Sequence, residues 1–239
     1  MKKIFLISAM TAVCFMGRAQ AILGIQAGVN MASVKQEAPG TSIKSDSKAG
    51  LIIGTFTDVN LGKSFSFHPE FNFIQKGGEN TITYMNSYGN STTVDETKFK
   101  LSYVQLSPNF LYNIVAGKGK VFLGLGPDLS FGITGKYKEK STTTGTGGIL
   151  GPIVSTTNSK VEFDGEENAS DYRLHLKGFD LGANFLAGYK MNNGIFISTG
   201  YTLGLSNIDP NDQYSFKNRG LYLKLGYRFS HKDLGPLVY

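Results

Sequence analysis

His68 and Glu70 lie two residues apart in the stretch FSFHPEFNF, residues 65–73. On an extended strand that spacing puts an imidazole and a carboxylate on one face. Such a pair can pass a proton or supply half of a metal site. The stretch alternates throughout, with Phe65, Phe67, Pro69, Phe71 and Phe73 on one parity and Ser66, His68, Glu70 and Asn72 on the other. Further charges fall on polar parities elsewhere: Asp58, Asp128 and Asp180, and Lys76, Lys190, Lys224 and Arg228. If those faces enclose a narrow, partly dry space, the acids and bases are expected to pair across it, because a buried charge needs a partner.

Little else supports catalysis. The chain has three histidines, His68, His175 and His231, and no HExxH or comparable spacing for zinc. Its one cysteine, Cys14, precedes the folded region, so a thiol nucleophile or Cys-ligated metal is excluded. GLGPDLSFG (124–132) lacks the third glycine of a dinucleotide fingerprint, GTGGILG (145–151) sits in a Thr-rich stretch read as a flexible loop, and no P-loop is present. The segment 137–171 offers many hydroxyls with His175 nearby, but its spacing nominates no triad. No catalytic, cofactor-binding or metal-ligating residue is therefore assigned; no cofactor is expected and the chain is read as a non-enzyme.

The elements that position these residues are strands. Residues 1–19 have a basic start at Lys2 and Lys3, an apolar run from Ile4 to Met16 and small residues at Ala19 and Ala21, as in a secretory signal peptide cleaved after Ala19 to leave Gln20 first. Thr11-Ala12-Val13 lacks the small residue expected before a lipid-bearing Cys14. No later run approaches the roughly 18–20 apolar residues of a membrane helix. Thirty glycines and many alternating segments indicate an all-β chain. Eight strands are expected near 22–34, 47–59, 64–76, 98–115, 121–136, 172–190, 195–205 and 218–229, in one domain over 20–230 with a tail at 231–239. Connections at 60–63, 116–120 and 191–194 are short; those at 35–48, 77–97, 137–171 and 206–217 are long. Strict alternation of short and long connections predicts an eight-stranded antiparallel up-and-down transmembrane barrel with short periplasmic turns and long external loops.

The faces agree. Val121, Leu123, Leu125, Leu129 and Phe131 oppose Gly124, Gly126, Asp128, Ser130 and Gly132; Leu221, Leu223, Leu225, Tyr227 and Phe229 oppose Gly220, Tyr222, Lys224, Gly226 and Arg228. A solvent face has little use for so many glycines, whereas a narrow lumen needs small residues to leave room for long charged ones. The opening phenylalanines are thus expected to face lipid. A bulge near Ser102–Val104 is expected to reconcile Leu101 and Tyr103 with Val104, Leu106 and Phe110. Tyr84, Tyr112, Tyr137, Tyr189, Tyr201 and Tyr227 are expected in an aromatic girdle.

GIQAGVNMA (24–32), FHPEFNFIQKGG (67–78), LSYVQLSPNFLYNI (101–114), LGLGPDLSFG (123–132), FDLGANFLAGYKM (179–191), YTLGLSNI (201–208) and LKLGYRF (223–229) follow one another in an order that resembles the PorT-like outer-membrane β-barrel family of Gram-negative bacteria. The resemblance implies an eight-stranded barrel in the outer membrane. It departs from the family pattern at Gln105, where an acid is frequent, and after Phe229, where SHKDLGPLVY continues. Either the tail hangs in the periplasm or Tyr239 serves as the terminal aromatic.

The expected role is structural or surface-interacting, with a side-chain-plugged lumen; a small porin-like pore and a rim-located enzyme are the alternatives. Expected partners are outer-membrane lipid, the barrel-assembly machinery during biogenesis, and a protein or glycan at loops 77–97 and 137–171. The long connections are net acidic, which disfavours nucleic acid.

Overall fold

A computed structural model of the chain describes residues 21–85, 91–145, 151–167 and 173–229. The expected signal peptide with Cys14, the 231–239 tail with His231 and Tyr239, and residues 146–150 of GTGGILG lie outside them. Every regular element among the described residues is a strand: β1 (Ala21–Ala38), β2 (Thr41–Lys44), β3 (Lys48–Asn60), β4 (Phe65–Met85), β5 (Ser91–Ala116), β6 (Gly119–Gly145), β7 (Ile153–Glu162), β8 (Leu174–His175), β9 (Phe179–Met191), β10 (Ile195–Gly204) and β11 (Ser215–Arg228).

Eight of these close into an antiparallel ring, β1–β3–β4–β5–β6–β9–β10–β11, with β11 paired back onto β1 from Gly24↔Arg228 to Glu37↔Ser215. The three short connections gather at one end together with both ends of the ring. Gly62, Gly117 and Gly194 in those turns take positive φ, which a side chain would resist. The outer wall is apolar: Phe65, Phe71, Leu125, Leu221 and Leu225 are each more than half exposed. No soluble core covers them, so this face is built for lipid.

Beyond the ring, three expectations change. Of the described residues in the segments 77–97 and 137–171, most are strand and not open loop: 77–85, 91–97, 137–145 and 153–162. Pairing continues from β4 to β5 as far as Met85↔Thr92, and from β5 to β6 as far as Ser91↔Gly145. β7 then pairs with β6 at 135–143 in the place that β9 vacates. A sheet about 30 Å long therefore rises above the wall, at roughly 3.3 Å per residue. Its strands are rich in threonine, which suits a pleated surface wet on both sides, as in the Thr93–Thr143 hydroxyl pair at 3.0 Å. The strand expected at 172–190 begins instead at Phe179, after the short β8.

Secondly, the register shift opposite Ser102/Tyr103 is real, but the extra residue is Ile133 on β6: Ser102 pairs with Thr134 and Tyr103 with Gly132. Leu101 and Tyr103 therefore need no reconciliation with the lipid face; they point inward and are fully buried. Thirdly, the girdle is smaller than expected. Tyr112, Tyr189 and Tyr227 lie at the turn end, with Phe65 against Tyr112 at 5.2 Å. Tyr84 stands high on the external sheet, and Tyr137 packs on Phe99 at 5.4 Å.

The lumen glycines also do more than make room for charge. A Cβ on Gly24 would sit 2.1 Å from the Phe56 ring, on Gly226 2.2 Å from Phe196, and on Gly188 2.5 Å from Phe122. Rings lie flat over these glycines and fill the turn end of the lumen.

Candidate functional site

Residues of even number on β3, β4, β9 and β11 point inward, which brings Asp58, His68, Glu70, Lys76, Asp180, Lys190 and Lys224 into one column. Asp128 joins them from β6, below the parity change at Ile133. The column has three levels. Nearest the turns, the Lys190 ammonium donates to Asp58 at 2.5 Å, with Arg228 Nη1 3.9 Å from the same carboxylate. In the middle, Lys224 donates to Glu70 Oε2 at 2.5 Å; Gln26 and Asn72 add amide donors at 2.8 and 3.1 Å, and Asn109 reaches Oε1 at 3.4 Å. Towards the external end, Lys76 lies 3.0 Å from Asp180 and 3.4 Å from Asp128. Asn218 and Ser206 complete Asp180, and Ser130 donates to Asp128 at 2.5 Å.

All four acids and four bases singled out in the sequence thus meet. Two features of the network were not legible there. Each lumen lysine also faces a ring: Lys224 over Tyr222 at 4.6 Å, Lys76 over Tyr103 at 5.1 Å and Lys190 over Phe122 at 5.3 Å. An aromatic face adds attraction for a cation that has left water. Gln105 accepts from Asn72 at 3.0 Å and donates to Asp128. A carboxylate in its place would face the Asp128 charge, so the amide fits where an acid would repel.

His68 and Glu70 do share a face, but among the described residues their neighbours are lysines, amides and rings. The imidazole stacks on Phe56 at 4.8 Å, with Nδ1 3.7 Å from Asp58 and Nε2 3.6 Å from Glu70. Both carboxylates are occupied by lysines, and the ring is fully buried. This is a filler between two ion pairs.

Above the lumen, Val34, Phe99, Leu101, Val161, Leu176, Ile208 and Phe216 form one apolar cluster, against which Phe163 packs. It draws the external ends of β1 and β11, the middle of β5, the lower end of β7 and the segments around Leu176 and Ile208 over the mouth. At its edge His175 Nδ1 is 2.9 and 3.0 Å from the Asp164 oxygens. Asp164, Glu166 and His175 bring one ligand atom each within 4.8 Å of one another, a grouping that spacing alone did not suggest. The Glu166 backbone N–H at 3.1 Å and His175 hold the Asp164 carboxyl below the ordinary aspartate range. These bonds account for the grouping as a loop clasp.

No curated protein matches the chain. Among solved structures, Neisserial surface protein A is similar over 87% of this chain and 97% of its own, at 14% identity and a TM-score of 0.41. The attachment invasion locus protein Ail of Yersinia pestis, solved with the heparin analogue sucrose octasulfate, is similar over 87% of this chain and 99% of its own, at 15% identity and a TM-score of 0.35. The translocator domain of the autotransporter NalP from Neisseria meningitidis is similar over 95% and 96% respectively, at 14% identity and a TM-score of 0.28. A family model described as "Outer membrane protein beta-barrel domain" matches residues 18–209. With most of its length matched, a closed antiparallel ring and a lipid-suited outer wall, the chain belongs to the outer membrane β-barrel domain family.

Proposed function

We propose that this outer-membrane barrel is closed to solutes and serves a structural or surface-interaction role as a PorT-like member, exported by a signal peptide at 1–19. The observation that carries this reading is where the lumen ion pairs reach. Asp58 on β3 and Lys190 on β9 are four strands apart in an eight-strand ring, so their bond runs from one side to the other. Glu70–Lys224 and Lys76–Asp180 each span three strands at two further heights. Beside Lys76, Asn30 and Asn218 the remaining space is about 10 Å³, close to one water site. An eight-stranded ring is narrow enough for side chains to fill. A catalytic role is not proposed: His68 lies between the Asp58 and Glu70 carboxylates, which lysines hold, and His175 lies against Asp164. The external sheet of β4–β7 is the surface offered to a protein or glycan partner; the barrel-assembly machinery is the partner expected during insertion.

Purified protein in planar bilayers tests the closed lumen. Baseline current with brief, small events is the expected record. Large, steady openings of the unmodified protein sink this reading and promote a pore.

A further inference from the structure

Across the ring from β6, the external ends of β1, β2 and β11 and the connection after β10 enclose a pocket of about 230 Å³. Pairing sets Gln36 on β1 between Ile43 on β2 and Phe216 on β11. Residues directly opposite share a face. Phe216 is buried towards the interior, so this row forms the inner wall. Ala38 and Tyr214, one step higher, form an exposed rim, and Asp209 enters from the connection.

That connection is built in advance. Asn207 Oδ1 accepts from the N–H groups of Asp209 at 3.0 Å and Phe216 at 2.8 Å. Asp209 Oδ1 accepts from Asn211 N–H at 2.9 Å, and Asn211 Oδ1 from Gln213 N–H at 2.9 Å. Ile208 is fully buried, and its carbonyl accepts from Lys177 N–H at 2.7 Å. Walls fixed in this way lower the cost of ordering when a ligand binds. Asp209 keeps its second carboxylate oxygen as an acceptor. Gln36 Oε1 accepts from Asn80 at 2.9 Å, which leaves its amide N–H groups as donors.

Size and charge select the ligand. The volume is below the roughly 300–1,000 Å³ of sites for drug-sized molecules, so one ring fits and a chain of rings does not. Lys35 donates to Glu37 and, with Lys217 and Arg219, holds that carboxyl below the ordinary glutamate range. These bases repel a cation, while the Asp209 carboxylate, with no ammonium in ion-pair reach among the described residues, repels an anion. A neutral ligand with one apolar face and several hydroxyls matches what is left. We propose that this pocket binds a single neutral pyranose, the terminal sugar of a glycan outside the cell. Its C–H face lies on Tyr214 and Ile43, a hydroxyl donates to Asp209, and another accepts from Gln36. The site rests on the surface-interaction reading but lies apart from the β4–β7 sheet.

Full-length protein in an amine-oxide detergent, which has no sugar headgroup, is titrated with the methyl glycosides of glucose, galactose and mannose. Binding is read by saturation-transfer difference NMR. At least one glycoside is expected to saturate with a Kd on the order of 1 mM, the strength of one ring contact and a few hydrogen bonds. Tyr214→Ala is expected to weaken it about tenfold by loss of the ring face. Asp209→Asn is expected to weaken it about tenfold by loss of the charged acceptor. Both variants keep the loop: Tyr214 holds it through its carbonyl, 2.7 Å from Asn207 Nδ2, and an asparagine Oδ1 still accepts from Asn211. Tyr84→Ala, high on the external sheet, is expected to change nothing. Absence of saturable binding by all three glycosides overturns the proposal, and so does undiminished binding by either pocket variant. Tighter binding of tetramethylammonium or of glucuronate also overturns it, marking a cation or an anion site. The closed lumen is judged separately by conductance, so a negative result here leaves that reading standing.

Discussion

Glu70→Ala removes the carboxylate on which the middle level of the lumen converges. The Lys224 ammonium, 2.5 Å away, then remains buried without its partner, and the amides of Gln26, Asn72 and Asn109 lose an acceptor. Breaking a buried pair from one side costs about 3–5 kcal/mol. Removing both charges is a different perturbation. Glu70→Ala with Lys224→Met leaves no stranded ion, keeps apolar volume beside Tyr222, and is expected to cost no more than about 1–2 kcal/mol. The double-mutant cycle should therefore show a coupling of at least roughly 2 kcal/mol. Urea unfolding of the barrel in lipid vesicles, followed by circular dichroism and gel mobility, measures all four corners; the chain has no tryptophan, so intrinsic indole fluorescence cannot serve. A loss below about 1 kcal/mol for Glu70→Ala, or losses that simply add, would falsify the claim that the lumen depends on its ion pairs.

Leu125→Arg, on the lipid face, is expected to cost about 2–4 kcal/mol near the midplane in the same assay; an unchanged midpoint would mean that the wall is not embedded. Gly226→Val drives a Cβ to 2.2 Å from the Phe196 ring and is expected to cost about 1–3 kcal/mol, whereas Gly151→Ala, with nothing within 4 Å, is expected to be silent. Equal effects would refute the ring-over-glycine packing. Glu79 sits between Lys48 at 2.8 Å and Lys98 at 2.9 Å, which hold its carboxyl below the ordinary glutamate range. Its contribution is present above that range and lost as pH falls through the lowered value. Being partly exposed, it is worth at most about 1 kcal/mol. A carboxyl NMR titration of Glu79 should give a midpoint below the usual glutamate value, and Glu79→Gln should flatten the matching acid limb of stability; a midpoint at or above the usual value counts against its pairing with Lys48 and Lys98.

Where one side of a strand faced lipid and the other a polar lumen, parity was enough. Phe65, Phe71 and Leu125 were placed outward, and Glu70, Asp128 and Lys224 inward, from alternation alone. Parity failed where that contrast vanished. Lumen positions taken by Phe56, Leu111, Phe122, Leu186 and Phe196 are as apolar as the wall, so their direction is set by what lies across the ring. Ile133 shifts its strand by one residue without any local signal. The external parts of β4–β7 are polar on both faces, so they carry no alternation and read as loops; only pairing with a neighbour reveals them.

The pairing of β1 with β11 has a kinetic side. Every other ring contact joins strands that follow one another along the chain once β2 and the β7–β8 excursion are set aside, so hairpins can form locally and early. Closure must wait for the last strand. Lys224 arrives on that strand, 154 residues after Glu70. Until then Glu70, carried on the fourth strand, has no ammonium to neutralise it, and entry of the partial sheet into hydrocarbon is opposed by a bare carboxylate. High contact order slows folding by itself; here charge adds a reason for insertion and closure to occur together. A truncated chain lacking β11 would be held at the membrane surface with its edges still available, and the arrival of Lys224 would act as the release.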